Sequence, residues 1–315
     1  MGLRVAIQMD APESLKFATD TTLRMGWEAQ ARGAELWYYT PDALTDAQGE
    51  IRASARPIRF FDNPEKFYDA GDAVTLPLRQ MDVILLRQDP PFDMAYLSTT
   101  YLLEKLLPDV CVVNHPASVR NLPEKLFPTQ WRQFMPPTLI TADSGEMKSF
   151  RLQHPDLVIK PLYGFAGHAV THLRPEDDLE ACLAQQFAQG REPLMLQPFL
   201  PEVRYGDRRI ILIDGEIAGI MARIPAEDDF RANFRVGGQA EPAALTTRQR
   251  EICEALRPAL KQHGLLLAGI DCIGDYLTEI NITSPTGIPA MNRLYGLRLE
   301  SQLWDAIEAK LATRS

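Results

Sequence analysis

Short apolar runs alternate with helical-period stretches through the first third of the chain. Residues 3–9 form an apolar run that reads as a buried strand. Residues 19–32 place Leu23, Trp27 and Ala31 at helical spacing, and Gly33 supplies a stop. A second strand follows at 35–39, then a buried strand at 83–86, a helix at 96–107 and a strand at 110–113. This alternation predicts a mostly parallel sheet covered on both faces, so residues 1–120 read as an open α/β domain. Ligands of such sheets sit beyond the carboxyl ends of the strands, which makes Asp10, Arg87 and Asn114 candidates. The loop Arg87-Gln88-Asp89-Pro90-Pro91-Phe92-Asp93 is stiffened by two prolines. It reads either as a binding loop for a zwitterion or as a sharp connector.

The pattern shifts after residue 120. A strand at 157–162 carries Lys160 near its end, a loop of small residues follows at 163–169, and a strand returns at 170–173. Such a tip can close over phosphates with backbone N–H groups, though ordinary hairpins use glycine too. The run 194–200 leads into a proline bend that reads as a hinge, where backbone groups can meet a purine edge, or as a plain connection. Residues 208–220 form a hairpin over Asp214-Gly215. Arg223, Arg231 and Arg235 then cluster with Asn233, Gly237 and Gly238, and a loop this basic in an acidic chain points to an anionic ligand. A helix is predicted over 248–263. The divisions expected are 1–120, a substrate-side α/β domain; 121–200, a lid-bearing domain; and 201–315, a domain holding metal and acceptor.

The segment 271–281 reads as a hairpin in which Glu279 and Asn281 alternate with Ile280 and Ile282, so both polar side chains share one face. A three-residue turn over 274–276 sets Asp271 opposite Glu279; a two-residue turn puts them out of phase. Two carboxylates and a carboxamide on one face suit Mg²⁺, which takes oxygen ligands and leaves places for phosphate. A solvated strand face is the alternative.

The bulk properties narrow the class. The 315 residues carry a net charge of −9, which opposes nonspecific nucleic-acid binding. No stretch approaches a membrane span, and Cys111, Cys182, Cys253 and Cys272 are scattered without metal or disulfide spacing. A cytoplasmic protein is expected.

Taken in order, Arg87-Gln88-Asp89-Pro90-Pro91-Phe92-Asp93, Glu124-Lys125-Leu126-Phe127, Lys160-Pro161-Leu162, Gly206-Asp207-Arg208-Arg209, Ala222-Arg223-Ile224-Pro225, Gly237-Gly238 and Thr278-Glu279-Ile280-Asn281-Ile282-Thr283-Ser284-Pro285-Thr286-Gly287 resemble the bacterial glutathione synthetases among the ATP-grasp ligases. The resemblance implies an ATP-grasp fold (α/β and α+β) behind an open α/β domain. It implies ATP and Mg²⁺ as cofactors, and joining of γ-glutamylcysteine to glycine through an acyl phosphate. Carried over by motif, Lys125, Lys160, Gly164, Gly167, Gln197, Phe199 and Leu200 bind nucleotide. Asp271, Glu279 and Asn281 hold Mg²⁺, while Arg209 and Lys160 act in catalysis. Arg87, Arg223, Arg231, Asn233, Ser284, Pro285 and Thr286 contact substrates. The partners implied are small molecules and further copies of the chain.

The sequence departs from the family pattern in three places. The lid reads Tyr163-Gly164-Phe165-Ala166-Gly167-His168, poorer in glycine than usual. Pro289-Ala290-Met291 stands where Arg-Glu-Ile is expected, next to the acceptor pocket. Pro128-Thr129-Gln130-Trp131-Arg132-Gln133 is more basic and aromatic than usual. A ligase joining another carboxylate and amine, and a non-catalytic nucleotide-binding regulator, are the alternative readings.

Overall fold

The computed structural model describes residues 2–164, 169–188, 190–226, 229–232, 234 and 237–313. Their backbone forms three sheets. The first is built from β1 (Arg4–Gln8), β2 (Glu35–Tyr39), β3 (Leu44–Ala47), β4 (Glu50–Phe60), β5 (Tyr68–Ala70), β6 (Val74–Pro77), β7 (Val83–Leu86) and β8 (Cys111–Val113). Its order is β3-β4-β2-β1-β7-β8, with β5 and β6 also paired to β4. The strands β2, β1, β7 and β8 run parallel, as the alternating pattern predicts. Strand β4 pairs antiparallel to all its neighbours, an extension that the apolar pattern did not announce.

Helix α1 (Thr21–Ala31) links β1 to β2, and α2 (Met94–Glu104) links β7 to β8. Each opens on an aspartate: Asp20 accepts from the Leu23 amide and Asp93 from the Tyr96 amide, satisfying N–H groups that lack a partner in the first turn. Helix α3 (Pro116–Asn121) follows β8.

The second sheet holds β9 (Leu139–Thr141), β10 (Leu157–Pro161), β11 (Thr171–Leu173) and β12 (Leu194–Pro198), ordered β11-β10-β12-β9 and antiparallel throughout. Helices α4 (Ser144–Gln153) and α5 (Leu179–Gln186) belong to the same stretch of chain.

The third sheet is β15-β14-β13-β16-β17, from β13 (Asp207–Ile213), β14 (Glu216–Ile224), β15 (Gln239–Glu241), β16 (Leu267–Ile273) and β17 (Tyr276–Asn281). Helix α6 (Thr247–Gln262), closed by a capping box of Thr246 and Gln249, precedes β16, while α7 (Ile288–Tyr295) and α8 (Leu299–Ala312) end the chain. The β13–β14 hairpin turns at Asp214-Gly215, both at positive φ, as this turn type demands.

One core joins the first and third sheets. Val5, Ile7 and Leu23 cluster with Ile211, Met221, Leu299 and Trp304, and the Trp304 indole donates to the Met25 carbonyl at 2.8 Å. Pro289, Ala290 and Met291 are buried in α7, with Met291 in this core beside Gly219. The departure from the family pattern at these three positions therefore falls on packing. Asn114 pins the same two sheets: its amide donates to the Leu267 and Ile282 carbonyls, both at 2.7 Å, and its oxygen accepts from the Leu267 amide. The carboxyl end of β8 thus serves as a structural joint, which corrects the expectation of a ligand residue.

Candidate active site

The β16–β17 hairpin sets the acidic row. Ile273 pairs with Tyr276, so the turn has two residues, Gly274 and Asp275; the three-residue turn is not formed. A register shift between Asp271 and Cys272 restores the phase by placing one extra residue in β17, and Asp271 still faces Glu279. The extra residue is Thr278, whose hydroxyl donates to the Asp271 carbonyl at 3.0 Å. Cys272 points into the core, as alternation requires.

Register extends the row. Arg209 of β13 pairs with Asp271, and Asp207, two residues earlier on the same face, pairs with Arg223 of β14. The side chains close into a buried chain of alternating charge. Arg209 grips Asp271 with Nε at 2.6 Å and Nη2 at 2.8 Å. Arg223 reaches Asp207 through Nε at 2.7 Å and Asp271 through Nη2 at 2.9 Å. Burial pushes the Asp271 carboxyl up, but Arg209 and Arg223 together outweigh it and hold it below the usual range. Burial also raises Asp207, and there Arg223 does not cancel the effect. Asp207 was missed in the sequence; its signal was the position two residues before Arg209 in a predicted strand.

These contacts revise two expected roles. Arg223 spends Nε and Nη2 on aspartates, so it is not an unpaired fork held out to a substrate carboxylate. Arg209 uses Nε and Nη2 on Asp271, and Nη1 donates to the Thr286 carbonyl at 3.2 Å. Two of its five N–H groups remain for another oxygen.

The second sheet brings the lysines. Lys160 near the end of β10 makes no ion pair or hydrogen bond among the described residues, and burial lowers its pKa. Lys125 is 3% exposed. It bonds Glu124, donates to the Gly164 carbonyl at 2.6 Å and lies 3.9 Å from Glu279. Burial opposes its charge, but Glu279 and Glu124 raise its pKa overall. Glu124 itself is pushed up to about 7, first by burial and then by Glu279, with Lys125 pulling the other way. Gly164 thus offers Lys125 its carbonyl, while its N–H donates weakly to Pro161 at 3.4 Å. Gly167 and Asn233 lie outside the described residues.

The β12 hinge forms the far wall. Gln197 is buried, its amide donating to the Thr138 hydroxyl at 2.9 Å. The Phe199 ring stacks on His172 at 3.9 Å and meets Phe230 edge-on at 6.2 Å. The Phe199 amide donates to the Asp156 carbonyl and the Leu200 carbonyl accepts from Val203. That leaves the Phe199 carbonyl and the Leu200 N–H, neighbours along the chain, without partners among the described residues.

The cleft between the second and third sheets unites Lys160, Gln197, Phe199, Leu200, Arg209, Arg223, Arg231, Asp271, Glu279 and Asn281 around about 880 Å³ of space, its open mouth included. Arg231 pairs with Asp229 at 2.8 Å on its rim. The remaining predicted residues meet at the first sheet. Arg87, 5% exposed, donates from Nε to Thr22 at 3.0 Å and from Nη2 to the Pro285 carbonyl at 3.3 Å. Among the described residues no carboxylate lies within ion-pair distance, and burial lowers its pKa against the pull of Asp20 and Asp89. Ser284 donates to the Arg87 carbonyl, and Asp10 accepts from the Asp89 amide.

Among the described residues no group of three or more His, Cys, Asp or Glu side chains is placed to hold a metal. Asp271, Glu279 and Asn281 provide hard oxygen donors, and Asn281 reaches Asp271 at 3.2 Å. A set this sparse fits Mg²⁺, which completes its shell with phosphate and water, and does not fit a dedicated protein cage. No described helix is long and apolar enough to cross a membrane.

Solved structures share this architecture. D-cycloserine synthetase DcsG matches with a TM-score of 0.69 at 13% identity, covering 98% of this chain and 99% of that one. ATP-grasp ligase PsnB complexed with minimal precursor matches at 0.63 and 17%, covering 98% and 99%. Fold and site together define an ATP-grasp carboxylate–amine ligase that uses ATP and Mg²⁺. The family models of prokaryotic glutathione synthetase match residues 3–120 (N-terminal domain) and 124–296 (ATP-grasp domain). Glutathione synthetases of Mesorhizobium japonicum and Pseudomonas putida are 48% and 41% identical, covering 98% and 100% of this chain and 99% and 100% of the relatives. The chain belongs to the prokaryotic glutathione synthetase family.

Proposed function

We propose that the chain joins the cysteine carboxylate of γ-glutamylcysteine to the amine of glycine, converting ATP to ADP and phosphate. The observation that carries the reading is the cleft itself: a lysine with no ion pair or hydrogen bond among the described residues, the β12 hinge and an acid–arginine row face one space. The Phe199 carbonyl and Leu200 N–H belong to one trans peptide and point opposite ways, so one of them, the Leu200 N–H, is the donor offered to N1 of adenine. Lys125 and Lys160 take phosphate oxygens and lower the repulsion between the attacking carboxylate and the γ-phosphoryl group.

Asp271, Glu279 and Asn281 hold Mg²⁺, which when bound neutralises charge on the phosphates. The acyl phosphate then accepts the amine, and the two remaining Arg209 N–H groups steady the tetrahedral oxyanion. Arg87, buried with no carboxylate partner in reach, receives a substrate carboxylate beside Ser284, Pro285 and Thr286. In this reading residues 1–120 carry the substrate side, 121–200 the lid and 201–315 the metal and acceptor. The protein works in the cytoplasm as a homo-oligomer.

The test is ADP release with γ-glutamylcysteine and a panel of amines, omitting each component in turn. Glycine-dependent turnover is expected. Turnover only with another pair points to a different ligase, and ATP binding without turnover to a regulator.

A further inference from the structure

A second, smaller pocket lies between the proline loop after β7 and the stem of the lid loop. It encloses about 370 Å³ including its mouth, and its walls are mostly apolar: Pro90, Phe92, Leu162, Tyr163, Ile282 and Thr283. The Phe92 and Tyr163 rings lie nearly parallel, 6.4 Å between centroids. Every segment forming this pocket also carries a residue of the proposed site. Pro90 and Phe92 follow Arg87, Leu162 follows Lys160, and Ile282 and Thr283 lie between Asn281 and Ser284. Glu124 and Gly164, which also line it, both bond the Lys125 ammonium.

We propose that this pocket receives the cysteine side chain of the donor dipeptide and sets which donor is accepted; the assignment rests on the function proposed above. The reacting carboxylate and the CH₂–SH group hang from one Cα. With the carboxylate held at the γ-phosphoryl group near Lys125, the side chain must lie within a few bond lengths of that end of the cleft. Glu124 and Glu279 stand beside Lys125, and this pocket offers mostly apolar walls next to them. A thiomethyl group is small, weakly polar and polarisable, and sulfur packs favourably against aromatic rings such as Phe92 and Tyr163. A hydroxymethyl group would exchange its hydration for walls that are apolar except at Thr283, Glu124 and Gly164, and a branched side chain would outgrow the space.

The experiment compares kcat/KM for ADP release, with glycine as acceptor, across γ-glutamylcysteine, its isostere with methyl in place of the thiol, γ-glutamylserine and γ-glutamylleucine. The wild type should use the first two within about tenfold of each other and disfavour the last two by about 10–200-fold. Phe92→Ala should narrow the cysteine-over-leucine ratio by at least about tenfold, leaving the KM for ATP near its wild-type value. Tyr163→Ala, at a residue 41% exposed and outside the hydrophobic cores, should move the same ratio in the same direction. An active wild type whose ratio is unmoved in both variants overturns the pocket assignment alone. A wild type that releases no ADP with γ-glutamylcysteine and any amine overturns the functional reading and the pocket with it.

Discussion

The two walls of the main cleft handle buried charge in opposite ways. On the third sheet, Asp207, Arg223, Asp271 and Arg209 alternate in sign, and each is held by the next. On the second sheet, Lys160 makes no ion pair or hydrogen bond among the described residues, and burial lowers its pKa. Buried charge is costly unless paired, so the difference separates scaffold from receptor. The arginine wall is already neutral and fixes the geometry of the acidic row. On the lysine wall burial outweighs the pull of Glu279, Glu124 and Asp271 on Lys160 until a phosphate arrives. Lys125 stands between the two, tied to Glu124 and near Glu279.

The sharpest way to break the scaffold side is Asp207→Ala. It removes one acid from a neutral buried set, and should cost about 3 kcal/mol, the low end for breaking a buried pair because Arg223 keeps Asp271. Urea denaturation reads it; a loss below about 0.5 kcal/mol would mean that the wall is not a coupled unit. On the receptor side, Lys160→Met should weaken ATP binding by about 10–100-fold, the worth of one charge-assisted hydrogen bond, with thermal stability unchanged or raised. A matching drop in stability would show Lys160 to be part of the scaffold instead.

Asn114→Ala probes the joint between the first and third sheets. Losing three buried hydrogen bonds should cost about 2 kcal/mol in denaturation with little effect on the KM for ATP. The smallest effect concerns Glu124. Its folded pKa of about 7 lies above the ordinary glutamate value of 4.5, so the folded state holds the proton more tightly than the unfolded state. Stability from this group is present at low pH and is lost as pH rises through that window. Glu124→Gln should therefore gain on the wild type between pH 5 and 7.5; a parallel pH course would remove Glu124 as the source.

Much of this contrast was legible in the sequence because strands impose a period of two. Glu279 and Asn281 shared a face on paper, and the parallel strands of the first sheet followed from their apolar runs. What escaped notice depends on partners distant in the chain. The bulge at Thr278 reverses the consequence of a two-residue turn, and no local signal marks it. Asp207 gains meaning only when the hairpin register pairs it with Arg223. Asn114 sat at the expected strand end, yet its partners Leu267 and Ile282 lie more than 150 residues away. Strands β3 to β6 are short or polar on one face, so they carry no continuous apolar run. His172 and Phe230 joined the hinge only through stacking on Phe199.

The account turns on burial outweighing the carboxylates around Lys160 before nucleotide binds. Calorimetry of ATP binding across a pH series below the ordinary lysine range, repeated in buffers of different ionisation enthalpy, measures this directly. A lysine whose pKa is lowered in the free protein and restored by phosphate must take up protons on binding. Net proton uptake in the wild type that disappears in Lys160→Met is the predicted result. Equal proton uptake in both proteins would contradict it.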